Sequence, residues 1–113
     1  MIARSTLWGT VQTGKEFCRL SPLEQMAIYA HEDGHIFYRH AWARLWWLLT
    51  LRAFFRQDEF FSLCETQEIE ADQYAARRGH GPGLISFLLR LQPDVKSDGY
   101  PTARQRLEAI RHV

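Results

Sequence analysis

The chain has 113 residues, enough for one domain with its own core but few enough that a bound metal would matter to its stability. Fourteen Lys and Arg oppose thirteen Asp and Glu, a formal net charge of +1, so no strong field points to nucleic acid or to an acidic substrate. Apolar residues at 46% and charged residues at 24% are ordinary for a globular protein.

The first dozen residues lack a continuous apolar stretch, so no signal peptide is expected. No run of eighteen or more apolar residues occurs, so no clear membrane span is expected either. Cys18 and Cys64 are the only cysteines, and they lack the paired spacing of a structural zinc site. Reduced thiols in a cytoplasmic setting are the expectation.

Residues 5–12 carry β-branched and aromatic side chains and read as a short strand, with Thr13-Gly14 as a turn. Ser21-Pro22-Leu23-Glu24 opens a helix. Ser21 caps it, Pro22 suits its first position, and Glu24 closes a capping box. This helix carries Met26, Ile28, Tyr29 and then His31-Glu32-Asp33-Gly34-His35, an HExxH motif. Residues i and i+4 share a helix face, so His31 and His35 can point at one metal ion. Glu32 sits beside the first of them, where a base can take a proton from metal-bound water. Zinc-dependent hydrolysis is the leading reading, against a chance motif on a solvated helix. Gly34 costs about 1 kcal/mol in a helix relative to Ala, which predicts a close approach to the backbone there.

Residues 41–55 form an apolar stretch interrupted by Arg44, Thr50 and Arg52. On one helix the apolar side chains fall on nearly every side. The segment is short for a membrane span, and a domain of this size can hardly surround it. An intramolecular core and a membrane-surface or protein-partner face are equally open, with Trp42, Trp46 and Trp47 suited to an interface.

A second chemistry-bearing helix is predicted over residues 62–78, stopping at Gly79. Gly81-Pro82-Gly83 reads as a turn, residues 84–91 as a short helix ended by Pro93, and residues 94–101 as a loop. Thr102-Ala103-Arg104-Gln105 is a second capping box and opens a last helix with Leu107 and Ile110 inward. Arg77-Arg78 and the group Arg104, Arg106 and Arg111 read as solvated helix faces. The expected architecture is mainly α with a small N-terminal β element, one domain over residues 1–113.

A catalytic zinc usually takes three protein ligands and a water. The downstream candidates are Glu65, Glu68, Glu70, Asp72 and His80. Glu68 and Asp72 lie four apart on one helix face, whereas Glu70 points elsewhere and His80 reads as a loop histidine. One arrangement explains the acidic pair: Glu68 ligates the metal and Asp72 accepts the free ring N–H of a ligand histidine.

The segments Leu20-Ser21-Pro22-Leu23-Glu24, Ala30-His31-Glu32-Asp33-Gly34-His35-Ile36 and Arg39-His40 resemble the family of HtpX and the CAAX prenyl proteases, gluzincin zinc metallopeptidases. Glu68-Ile69-Glu70-Ala71-Asp72 with Tyr74-Ala75-Ala76 resembles its ExxxD block. Tyr100-Pro101 with Arg106-Leu107 resembles its C-terminal element, and residues 11–20 resemble the strand and turn before its active-site helix. The resemblance spans about residues 11–111. It implies a zincin-like fold and one Zn²⁺ held by His31, His35 and Glu68. It further implies Glu32 as general base, Asp72 behind a ligand histidine, and a peptide or protein substrate held along the strand preceding the metal helix. Tyr100 is a candidate to stabilise an oxyanion. Membrane-bound members of the family carry hydrophobic helices near these motifs, which makes residues 41–55 easier to read as membrane-proximal.

Three departures from the family pattern stand out. Asp33 occupies a usually apolar position, Tyr100 replaces a histidine, and the chain is short. They motivate a second reading, a zinc-binding regulatory or partner-binding domain with little or no turnover. A third reading, a regulatory protease acting on one repressor, finds no basic recognition helix in support.

Overall fold

Residues 2–113 are described by a computed structural model. Strands β1 (Ala3–Ser5) and β2 (Val11–Thr13) pair antiparallel, with Ala3 opposite Thr13 and Ser5 opposite Val11. The segment expected as one strand over residues 5–12 is therefore a hairpin. Residues 6–10 turn because Gly9 adopts a φ of 80° and the Thr6 and Thr10 hydroxyls share a 2.6 Å hydrogen bond. Thr13 closes β2 instead of turning, and Gly14 leads into a 3-10 turn, Lys15–Arg19.

Hydrogen bonds from Thr6 N–H to Thr10 and from Gly14 N–H to Ile2 flank this ladder. In the antiparallel alternation, Ala3 and Ser5 then turn their backbone polar groups away from β2. The β1 edge, rather than β2, lies along the first helix.

Helix α1 (Pro22–Phe37) opens on the expected capping box: Glu24 N–H donates to Ser21 Oγ at 3.3 Å and Ser21 N–H to Glu24 Oε1 at 3.2 Å. Glu24 does more than cap. It is buried, and Arg90 donates to the same carboxylate oxygen at 2.7 Å.

The apolar stretch is not one helix. Helix α2 (His40–Leu49) and the short α3 (Arg52–Phe55) are separated by Leu51 in the left-handed region at φ 61°. Arg39, at φ 55°, makes a similar bend between α1 and α2. Two sharp corners let the segment fold back over α4, where a continuous helix would project into solvent. Trp47 stacks near Phe60, with ring centroids 6.0 Å apart.

Helix α4 (Gln57–Ala75) begins before the expected residue 62 and runs into a π-type turn, Ala76–His80, that unwinds at Gly79 with a φ of 90°. Gly81-Pro82-Gly83 is not a turn. It is the first turn of α5 (Gly81–Leu88), where Pro82 has no N–H to leave unpaired. A Cβ on Gly83 would stand 2.4 Å from the Leu23 carbonyl oxygen, so this glycine lets α5 lie directly against the start of α1. Helix α6 (Ala103–Arg111) carries the second capping box as expected, Gln105 N–H donating to Thr102 Oγ1 at 3.1 Å.

The core is made by α1, α4, α5 and α6 through Ala27, Ala30, Ala75, Leu84, Leu88 and Ile110. Alanines dominate the α1 face, which allows close helix approach. The protein is mainly helical with one small antiparallel sheet. Among the described residues, no helix is long and apolar enough to cross a membrane.

Candidate metal centre

Helices α1 and α4 meet where Gly34 faces the Ala71 backbone. That contact brings His31 and His35 opposite Glu68 and Asp72, and all four are buried. His31 Nε2 and His35 Nε2 are 3.1 Å apart. Glu68 Oε1 lies 3.2 Å from His31 Nε2, and Glu68 Oε2 lies 3.0 Å from His35 Nε2. Bonds of about 2.0–2.1 Å at tetrahedral angles put zinc ligands about 3.3 Å apart, so these donors need only a small adjustment to hold the ion. Two imidazoles and a carboxylate, buried and facing one point, suit Zn²⁺.

The other ring nitrogens are also engaged. His31 Nδ1–H donates to Asp72 Oδ1 at 2.7 Å. Arg106 grips the same carboxylate with two bonds, Nε to Oδ2 at 2.7 Å and Nη2 to Oδ1 at 2.8 Å. His35 Nδ1 lies 2.8 Å from His40 Nδ1. With Nε2 of His35 turned to the metal position, its Nδ1 carries the proton, so His40 Nδ1 is the acceptor. His40 Nε2–H then faces Glu70, whose Oε2 is 3.8 Å away. Arg44 on α2 donates to Gln67 Oε1 at 2.6 Å and to Glu68 Oε2 at 3.1 Å, orienting the Glu68 carboxylate.

The titration preferences follow from these contacts. Burial works against protonated His31, but Asp72 and Glu68 outweigh it and raise the imidazole to about 9 in the absence of competing metal. Burial, His35 and Arg44 lower His40 to about 4, so it is neutral and able to accept. Burial alone would raise Glu68; hydrogen bonds from His31 and His35 reverse this and keep it ionised. Asp72 is likewise held low by Arg106 and His31 against the effect of burial.

Glu32 behaves differently. Burial pushes its carboxyl above the ordinary range, and the Glu68 charge adds to this, while His31, His35 and the Ser5 backbone amide pull the other way without cancelling it. It lines a cavity of about 450 Å³ shared with His31, Glu68 and Arg106, floored by Ile28, Leu84 and Phe87 and edged by β1. Tyr100, 52% exposed, stands at the rim of this cavity.

The structure thus brings together His31, Glu32, His35, Glu68 and Asp72, with Tyr100 at the edge. Asp33 is exposed on the far side of α1, away from the ligands. Glu65 pairs with Lys96, and His80 lies in the turn after α4, outside the ligand cluster. Arg106, expected on a solvated face, is instead largely buried against Asp72, because α6 packs on α4 and turns this arginine inward. His40 and Arg44 had no assigned role from sequence. The available signals were a histidine five residues after the second ligand and the single charge in the first ten residues of an apolar run.

No protein-family model, no curated protein and no solved structure matches the chain.

Proposed function

We propose that the chain is a zinc-dependent metalloendopeptidase of the zincin type, with His31, His35 and Glu68 as ligands. The observation that carries this reading is the convergence of those three donors on one point, beside a cavity that His31 and Glu68 line together with Glu32, a carboxylate of different character. Bound zinc would supply Lewis acidity and lower the pKa of its water from about 15.7 toward about 7. Glu32 takes the proton of the attacking water and returns it to the leaving amine nitrogen. Its raised pKa suits that exchange, because a base nearer the operating pH both accepts and releases.

An extended peptide binds along the β1 edge, where the Ala3 backbone groups face away from β2. This puts the substrate on the first strand of the hairpin instead of the strand immediately before α1. The apolar floor of Ile28, Leu84 and Phe87 accepts an apolar side chain next to the scissile bond. Tyr100 at the rim donates its hydroxyl to the developing oxyanion. Free Cys18 and Cys64 fit a reducing, cytoplasmic setting.

The test is metal analysis joined to a peptide-hydrolysis assay. Wild type binds one zinc and cleaves unfolded protein; Glu32→Gln keeps the zinc and loses cleavage; Glu68→Ala loses the zinc. Full zinc retention in Glu68→Ala would overturn the ligand assignment. Zinc-loaded wild type that cleaves no peptide or denatured protein would establish the non-catalytic zinc-binding reading.

A further inference from the structure

Two cavities meet at the metal centre, and they follow one another along both β1 and α1. The larger, about 450 Å³, takes Ile2 and Ala3 from the strand side and Ile28 and His31 from the helix. The smaller, about 190 Å³, takes Ala3 and Ser5 from the strand and His35 from the helix. Arg4, Glu32, Glu68 and Tyr100 line both, so the three metal donors stand at the boundary between the two spaces.

Their walls differ in chemistry. The larger cavity is apolar at Ile28, Leu84 and Phe87, and its second arginine, Arg106, is answered in full by Asp72. The smaller has only Ala3 and Ala41 as aliphatic lining, and its charged side chains are Arg4, Arg44, Glu32 and Glu68. With Glu68 answered by the dication it would ligate, Glu32 is the one carboxylate left to oppose two arginines. Glu70 stands behind His40, 3.8 Å from its Nε2, and does not line the cavity. Neither arginine spends all its donors. Arg4 gives Nε to Gln12 Oε1 at 2.8 Å, and Arg44 gives Nε to Gln67 and Nη2 to Glu68. Both Nη groups of Arg4 and Nη1 of Arg44 have no hydrogen-bond partner among the described residues. Guanidinium donors left open beside a small polar cavity suit a carboxylate.

Strand direction decides which side of the scissile bond each cavity serves. From Ala3 to Ser5, β1 runs from the larger cavity toward the smaller. Antiparallel pairing is the more stable per residue, and an antiparallel peptide runs the other way. Its residue before the scissile bond then faces the smaller cavity, and the residue after it faces the larger. We propose that the protein selects peptides with a short acidic side chain immediately before the scissile bond, received by Arg4 and Arg44, and an apolar one immediately after it. The proposal rests on peptide binding along the β1 edge, as assigned above, and adds charge selection to it.

The test is binding of uncleavable peptides to the zinc-loaded wild-type protein, read by fluorescence anisotropy. The peptides carry a ketomethylene in place of the scissile amide and differ only in the residue before Leu: Asp, Asn or Lys. The Asp peptide should bind about tenfold more tightly than the Lys peptide, with the Asn peptide between them, and about 0.5 M NaCl should narrow the gap. Arg4→Glu should bring the Asp and Lys peptides within about twofold of each other. Zinc content and melting temperature should be retained in that variant, since Arg4 is exposed and its one side-chain bond is to Gln12. Equal affinity for the Asp and Lys peptides, or an Asp preference untouched by Arg4→Glu, overturns the proposal. So does tighter binding of the reversed Leu-Asp order, which would turn the peptide round, and so does a lack of binding by all of them. Cleavage of the matching amide peptides separates the two readings: hydrolysis without charge preference sinks this proposal alone, and Asp-selective binding without hydrolysis upholds it in a domain that does not turn over.

Discussion

Gly34 on α1 abuts the backbone of Ala71 on α4: a Cβ at position 34 would stand 3.0 Å from the Ala71 Cα and 3.1 Å from the Tyr74 ring. One turn of each helix therefore sets the spacing between the histidine pair and Glu68. Gly34→Ala should separate the helices. The gain of about 1 kcal/mol in helix propensity is exceeded by overpacking of about 1–3 kcal/mol against backbone, which cannot rotate away. The expected result is a small net loss of stability in urea unfolding and a clearly weaker zinc affinity. A variant that gains the propensity and binds zinc as wild type does would refute this role for the contact.

Arg106→Met keeps the aliphatic stem but leaves Asp72, which has 0% exposure, without its two guanidinium bonds. Breaking one side of a buried pair costs about 3–5 kcal/mol. Because Arg106 is 14% exposed at its side chain, the lower end of that range is expected. Zinc affinity should also fall about tenfold or more, as Asp72 loses its hold on the His31 ring. Chemical denaturation and chelator competition measure the two effects, and an unchanged affinity would show that Asp72 orients His31 unaided.

His40→Phe removes the acceptor for the His35 Nδ1–H while filling most of the same buried space. It should lower zinc affinity about 10-fold to 100-fold. His40→Gln, which restores an acceptor, should recover part of the loss. Equal affinities for the Phe and Gln variants would assign His40 to packing alone.

The raised pKa of His31 predicts a pH-dependent zinc affinity. Held protonated to about 9, this imidazole must release one proton when it ligates at neutral pH. Apparent zinc affinity should rise about tenfold per pH unit from about 7 and flatten near 9. In chelator-treated protein the sign for fold stability is opposite. A raised histidine pKa contributes fully below its ordinary value of about 6.5, and the contribution disappears as pH rises through about 9. Chelator competition and urea unfolding across this window check both slopes. A flat affinity profile would show that His31 is already neutral at pH 7.

Much of the local structure was legible because its causes are local. Ser21 with Glu24 and Thr102 with Gln105 are capping boxes in the structure as in the sequence, since each needs only four consecutive residues. Gly79 unwinds the chain after α4 as expected. The breaks at Arg39 and Leu51 carried no such signal: neither is glycine, yet both adopt the left-handed conformation. The hairpin was missed because its turn, around Trp8-Gly9, lies within residues apolar and β-branched enough to read as one strand.

By itself the sequence determined which side chains could share a helix face: His31 with His35 and Glu68 with Asp72, four apart on α1 and α4. Helical periodicity is a property of the chain alone. Only the tertiary structure decided that those faces meet, that Arg106 turns inward to Asp72, that His40 backs His35, and that Arg44 reaches from an apolar helix to Glu68. Those relationships join residues five to forty-one positions apart through bends and helix packing, and the distances that create them exist only once the core has formed.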